Sequence, residues 1–340
     1  MMMTLLLLKS RIKTFYEKHY RIVRSVIKVL LVFISLLLVT GNMDYSNILK
    51  QYWMMIPLAL ICGIAPDIVS AAVMFLVIGW EIYSAVPVMG IFVLLIILTY
   101  FLLLGRMEQG QPYVMLAIPL LSMTGLEYVV PVVVALFASP AMIPALFMGI
   151  VLQFTMLGVK EYVTVSAEMA NTANLDMVLV PFQYIVDYLG HNRVLVVILL
   201  AFGVTFASVY LIRRASYKHS SQIAILVGTL MLLAVEFFGN IILDLDINPL
   251  KSTLQALAAM IIAYIVQFFR ITLDYHGTRK LQFEDDEYYY YVTAIPKYKV
   301  AVVDKTVTRI VPDDTGETLD LKEELEKTLE EETGDSDSEW

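Results

Sequence analysis

Four carboxylates stand inside apolar stretches of this chain: Asp67, Glu81, Glu127 and Glu236. At the centre of a bilayer a carboxylate costs about 2.5–3.5 kcal/mol on insertion scales, so it faces other helices or water rather than lipid. Asp67 and Glu127 each adjoin helix-breaking residues, Gly63 and Pro66 in one case, Gly125 and Pro131 in the other. A helix broken in apolar surroundings exposes N–H and C=O groups that only protein or a wet cavity can satisfy. Carboxylates at two such breaks could line a cation or proton pathway. The competing reading places both at interfacial helix ends, where negative charge near an N-terminus is favourable. Glu236 and Asn240 are four residues apart and share one side of a helix. They read either as a substrate contact or as an interhelical hydrogen-bond contact that locks packing, typically worth about 0.6 kcal/mol. Glu81, between Trp80 and Tyr83, reads as part of an interface belt with a structural role.

The elements that must position these groups follow from composition. Of the 340 residues 59% are hydrophobic and only 16% charged, against roughly 45–50% and about 25% in soluble domains. The apolar residues come in runs, which excludes a disordered chain, a disulfide scaffold and an ordinary soluble enzyme. The expected fold is an all-α polytopic membrane protein. A crossing helix needs about 20 largely apolar residues. Clean candidates are Ile22–Thr40, Val88–Leu104, Ala141–Val159, Val194–Ile212, Ile223–Leu243 and Leu254–Phe269. The segments from Trp53 to Glu81 and from Val114 to Ala138 are broken. Counting each as one span gives about eight crossings; counting each as two short helices gives ten.

The basic leader (Lys9, Arg11, Lys13, Lys18, Arg21 and Arg24 against Glu17) and Arg213-Arg214 put residues 1–21 and the tail in the cytoplasm. No A-x-A-like site follows the first apolar run, so a non-cleaved first span is expected. Residues 22–270 then form the membrane domain, with an outer loop at 161–193. Met177–Leu189 within it suits an interfacial helix or a lid.

Short self-similarities suggest an internal repeat, 54–104 and 113–159. Ile56-Pro57-Leu58 recurs as Ile118-Pro119-Leu120 at an offset of 62, which also aligns Gly63 with Gly125. Met89-Gly90-Ile91 recurs as Met148-Gly149-Ile150. If each unit crosses three times the copies are inverted and Arg106 lies inside; if twice, they are parallel and Arg106 lies outside. Interrupted segments at matching positions of inverted repeats point to transporter binding sites. Simple kinking by Pro and Gly is the competing explanation.

Charge divides the chain again: residues 1–269 carry +2 and residues 270–340 carry −10. The acidic tail, 271–340, disfavours nucleic acid as a partner. Tyr288–Val303 reads as two short strands or a hairpin, and Asp320–Glu332 as a helix opened by a capping box. Leu321, Leu325 and Leu329 form one stripe that would dock on the membrane body or on a cytoplasmic protein. The run Glu284–Glu287 reads as solvated acid. The single Cys62 permits no intramolecular disulfide. The four histidines have no ligand spacing, Asp244 and Asp246 read as a turn, and no catalytic, nucleotide-binding or cofactor motif is present. No metal or cofactor is expected.

The segment FEDDEYYYYV (Phe283–Val292), with AIPK (Ala294–Lys297), resembles the C-terminal signature of uncharacterised multi-pass bacterial membrane proteins. The resemblance implies a bacterial plasma membrane and brings no activity. The expected role is therefore a non-enzymatic, transporter-like component for a small solute or ion. The alternative is a scaffold subunit of a cell-envelope assembly or secretion complex that recruits a partner through its tail. Lipid contacts are implied either way.

Overall fold

The protein is described here from a computed structural model that covers residues 15–16, 18–103, 110–168, 179–215, 219–270, 279–284 and 289–294. Arg106, the run 285–287, the expected tail helix and the stripe Leu321, Leu325 and Leu329 lie outside the described residues.

Eleven helices are described: α1 (Tyr20–Met43), α2 (Tyr52–Ile64), α3 (Asp67–Ala85), α4 (Pro87–Leu103), α5 (Gln111–Ser122), α6 (Val129–Phe137), α7 (Ile143–Glu168), α8 (Leu179–His191), α9 (Arg193–Arg214), α10 (Ser220–Leu243) and α11 (Pro249–Arg270). Six stretches, in α1, α3, α7, α9, α10 and α11, are long and apolar enough to cross a membrane. α2, α4 and α5 are apolar but shorter. The chain is thus an all-helical membrane-type body, and the broken regions 53–81 and 114–138 are pairs of separate helices rather than single kinked ones. Beyond α11, β1 (Arg279–Glu284) pairs antiparallel with β2 (Tyr289–Ala294), Arg279 opposite Ala294.

Side-chain contacts fix the chain's direction through the body. At one end, which we call the basic end, Arg24 and Lys28 of α1 pair with Asp67 at the start of α3 (2.5 and 2.9 Å). The Tyr113 hydroxyl, at the start of α5, donates to the Asp67 carbonyl (3.0 Å). Tyr100, late in α4, donates to Gln111 (3.2 Å), whose amide donates to the Ala141 carbonyl before α7 (2.8 Å). At the far end, the Tyr45 and Ser46 amides after α1 donate to Glu81 (3.3 and 3.1 Å). Arg193, opening α9, donates to the Leu243 carbonyl closing α10 (3.4 Å). Traced through these contacts, α1 to α7 alternate in direction, and so do α9 to α11.

Each interruption has local chemistry that closes it. Pro66 holds Ala65 extended (ψ 156°) and ends α2. The carbonyls released there are taken by Ser70 Oγ, which donates to Cys62 O (2.9 Å), and by Lys28 Nζ, which donates to Ala65 O (2.6 Å). At the end of α6, the Arg213 guanidinium donates to Leu136 O and to Ala138 O (2.9 Å for the second). A cation there also complements the negative helix terminus.

Two apolar cores result. One gathers α1 to α4; the other gathers α6, α9, α10 and α11. α7 serves both: Ala145, Leu152, Met156 and Val159 enter the first, and Leu146, Ile150 and Phe154 the second. A helix apolar all round is a buried helix, and α7 is the most enclosed of the six spanning candidates. α8 packs on its far half, with Ile185 fully buried and Tyr184 against Tyr162 at 5.1 Å.

The two Met-Gly-Ile copies fall on α4 and α7, and both glycines mark close helix approaches. A Cβ at Gly90 would lie 2.4 Å from the Tyr83 Cα, and one at Gly149 2.8 Å from the Met115 carbonyl oxygen. The partners differ, because α4 lies on α3 whereas α7 lies on α5. The units share element order and opposite direction, not packing. Backbone cannot yield as a flexible side chain can. Gly90→Ala and Gly149→Ala are each expected to destabilise the detergent-solubilised protein by about 1–3 kcal/mol. Gly41→Ala, with nothing within 4 Å, serves as the near-neutral comparison in the same thermal-unfolding assay.

Candidate functional site

The richest polar cluster lies where α5 stops and α6 begins. The Leu126 amide bonds to Leu121 O (2.9 Å) and the Gly125 amide to Ser122 O (3.0 Å). With Gly125 at φ +74°, this is a Schellman closure, which glycine adopts without a Cβ penalty. The Ser122 and Thr124 hydroxyls donate to Pro119 O and Leu121 O (both 2.8 Å). The helix end therefore leaves few carbonyls bare.

The turn then delivers two chemistry-bearing residues. Tyr128 is buried and its hydroxyl donates to Glu236 Oε2 (2.5 Å). Ser252, near the start of α11, donates to Glu236 Oε1 (2.6 Å). Glu236, only 3% exposed, thus has both oxygens bonded and ties α10 to α11 and to the α5–α6 turn. Glu127, the neighbour of Tyr128, is half-buried. It has no side-chain hydrogen bond to another described residue, while the charges of Lys251 and Glu236 both reach it. Gln255, one turn beyond Lys251 on α11, stands 3.3 Å from where a Gly125 Cβ would lie.

The other residues singled out by sequence have separate places. Asp67 sits at the basic end, its side chain 40% exposed and paired with two cations. The two break carboxylates therefore occupy opposite ends of the body and do not line a common cavity. The cause is the alternating chain direction, which puts the α2–α3 and α5–α6 junctions on opposite sides. Asn240 does not bond to Glu236. It clamps the α10–α11 turn, donating to Ile247 O (3.2 Å) and accepting from Ile247 N (3.3 Å), beside Asp244 in left-handed geometry. Glu81 is fully buried rather than at a surface belt. One of its oxygens holds the connection after α1 and the other has no partner. Burial, and then the charge of Glu81, push the Tyr45 phenol above its ordinary value.

Pro131 is not itself the break. It lies in the first turn of α6, where an amide has no intrahelical acceptor to lose. Gly63 is helical, and its missing Cβ lets α2 close on Val29 of α1. Among the described residues, no three His, Cys, Asp or Glu side chains gather as a metal site.

Sequence reasoning missed Tyr128, Lys251, Ser252 and Gln255. The one available signal was the polar spacing at the start of the last apolar run: Ser252 and Gln255 lie three apart and Lys251 and Gln255 four apart, on neighbouring faces of a helix. Comparison of the chain with protein-family models, curated proteins and solved structures finds no match.

The joint at Glu236 has a measurable signature. Glu236→Ala orphans the buried Tyr128 hydroxyl, costing about 1–3 kcal/mol, and leaves Ser252 only its longer bond to Asn248 O (3.4 Å). Adding Tyr128→Phe removes that orphan, so the double variant should unfold at a higher temperature than additivity of the two singles gives. Strict additivity in thermal unfolding would mean that the pair is not coupled.

Proposed function

We propose that the protein is a non-enzymatic transport component of a bacterial plasma membrane, moving a small solute or ion, with both termini cytoplasmic. The observation that carries this reading is the interrupted helix at 122–128. It places Glu127, which has no side-chain hydrogen bond to another described residue, beside Lys251 and the bonded Glu236. Carboxylates and broken backbone held inside a helical body are the ordinary materials of ion and solute pathways. Membrane-type helices and the opposite direction of the two three-helix units are consistent with it.

On this reading the basic end faces the cytoplasm, as the cationic residues Arg24, Lys28, Arg213 and Arg214 near it require. Ten transits follow when the short helices α2, α4, α5 and α6 are each counted. Arg106 is then inside and Lys160 outside, and the units 54–104 and 113–159 form an inverted pair. The strand pair and the acidic tail are then cytoplasmic. The scaffold alternative rests on tail residues, and no contact described here favours it.

Two measurements bear on this. In intact cells, a single cysteine replacing Lys160 should react with a membrane-impermeant maleimide, and one replacing Arg106 should react only after permeabilisation. The reverse pattern would invert the topology. In proteoliposomes carrying a pH dye and a potassium diffusion potential, the wild type should pass protons or sodium at a rate clearly above protein-free vesicles. Glu127→Gln should reduce that flux by about tenfold, the effect of losing about 1.4 kcal/mol of stabilisation along the path. Flux unchanged in Glu127→Gln would remove this carboxylate from the pathway.

A further inference from the structure

The α5–α6 turn has a second side. Opposite the Glu236 joint, Ser122 and Met123 line a half-open pocket of about 200 Å³ between α1, α5 and α7 at the far end. Its other walls include Asn42, Gln153, Met156 and Lys160. This volume holds several water molecules and therefore a small organic solute.

The pocket's polar groups have an uneven character. Gln153 is 7% exposed, and its Oε1 is buried without a hydrogen-bond partner. Buried polar atoms are nearly always paired, so an orphan beside a cavity points to an occupant. Asn42 uses one of its two amide hydrogens on Leu38 O (2.9 Å), and Ser122 uses its one hydroxyl hydrogen on Pro119 O (2.8 Å). The side-chain oxygen of each accepts no hydrogen bond from a described residue and is open to a donor. Lys160 supplies the one charge in the lining, and the lining contains no acid. Lys160 forms no ion pair with a described residue. The remaining wall is apolar, with methionine prominent, which suits flexible apolar side chains.

Three neutral side-chain oxygens open to a donor and one cation, with no carboxylate, fit a ligand that carries one anionic group, one multivalent N–H donor and an apolar body. We propose that the pocket binds a small zwitterion of the apolar amino-acid class. The carboxylate meets Lys160 Nζ, the ammonium meets the oxygens of Gln153, Asn42 and Ser122, and the side chain lies against Met123 and Met156. This deepens the transport reading by naming a substrate class. Occupancy is an equilibrium property, so it is measured without flux and the two can fail separately.

Leu157 lies on the pocket wall and is 46% exposed. The chain's one native thiol, Cys62, is buried, so the wild type supplies the labelling background. In phosphatidylcholine nanodiscs, N-ethylmaleimide should modify Leu157→Cys readily. Leucine, methionine or phenylalanine at about 10 mM should slow that reaction at least about fivefold, as a site about four-fifths occupied would. The protection should vanish when Lys160→Gln or Gln153→Leu is added, with gel filtration showing the variants intact. Isoamylamine and isocaproate, each lacking one of the two charged groups, should protect poorly. The proposal is overturned if none of the three amino acids protects, or if isoamylamine or isocaproate protects as well as leucine. Protection that appears only when phosphatidylglycerol replaces phosphatidylcholine also overturns it, and assigns the pocket to a lipid headgroup.

Discussion

A helix that stops inside an apolar body must hand its last carbonyls and next amides to protein partners, because lipid offers none. Much of this structure answers that requirement. Ser70 and Lys28 close the end of α2, the Gly125 Schellman turn with Ser122 and Thr124 closes α5, and Arg213 closes α6. Each closure uses a side chain from the same turn or from a neighbouring helix. The neighbours are therefore positioned as much by these polar joints as by packing. Without the joints, α2, α5 and α6 would be short apolar helices with frayed ends and no reason to stay at fixed depth.

Charge is spent in the same way. Asp67 gathers Arg24 and Lys28, Glu236 gathers two hydroxyls, and Glu81 gathers two amides on one of its oxygens. Burying a carboxylate is expensive, and bonding its oxygens offsets that cost. Glu127 stands outside this pattern, since its neighbours act on it through space rather than by a direct bond. That contrast between Glu127 on the turn and Glu236 on α10 separates structural acid from candidate functional acid more sharply than burial does.

Much of the body was legible in the sequence. Apolar runs marked α1, α4, α9 and α10 to within three residues at each end, because hydropathy is a local property; α7 runs nine residues past its expected end and α11 begins five residues before its expected start, where the helix continues into polar sequence. The breaks near Pro66 and Gly125 were legible too, since both residues act on their own backbone. Local pattern does not carry the pairing of partners. Glu236 and Asn240 share a helix side, yet one reaches across to Tyr128 and Ser252 while the other folds back on Ile247. Asp67 and Glu127 look equivalent beside their breaks, yet the chain's alternation carries them to opposite ends. Gln153 and Lys160 gave no signal, because a pocket is a property of three helices and not of one stretch.

The bond between Tyr128 and Glu236 joins residues 108 positions apart, and this bears on how the molecule is built. The α5–α6 hairpin leaves the ribosome long before α10 and α11 exist. Until those helices enter, Tyr128 has no acceptor, Arg213 has not reached Leu136 and Ala138, and Gln255 is not beside Gly125. The hairpin reaches its fully bonded state only once α9, α10 and α11 are present. Biogenesis of this body therefore runs partly backwards, with its middle seated by its end. A chain cut short before Ser252 would carry most of its apolar helices and still lack a finished centre.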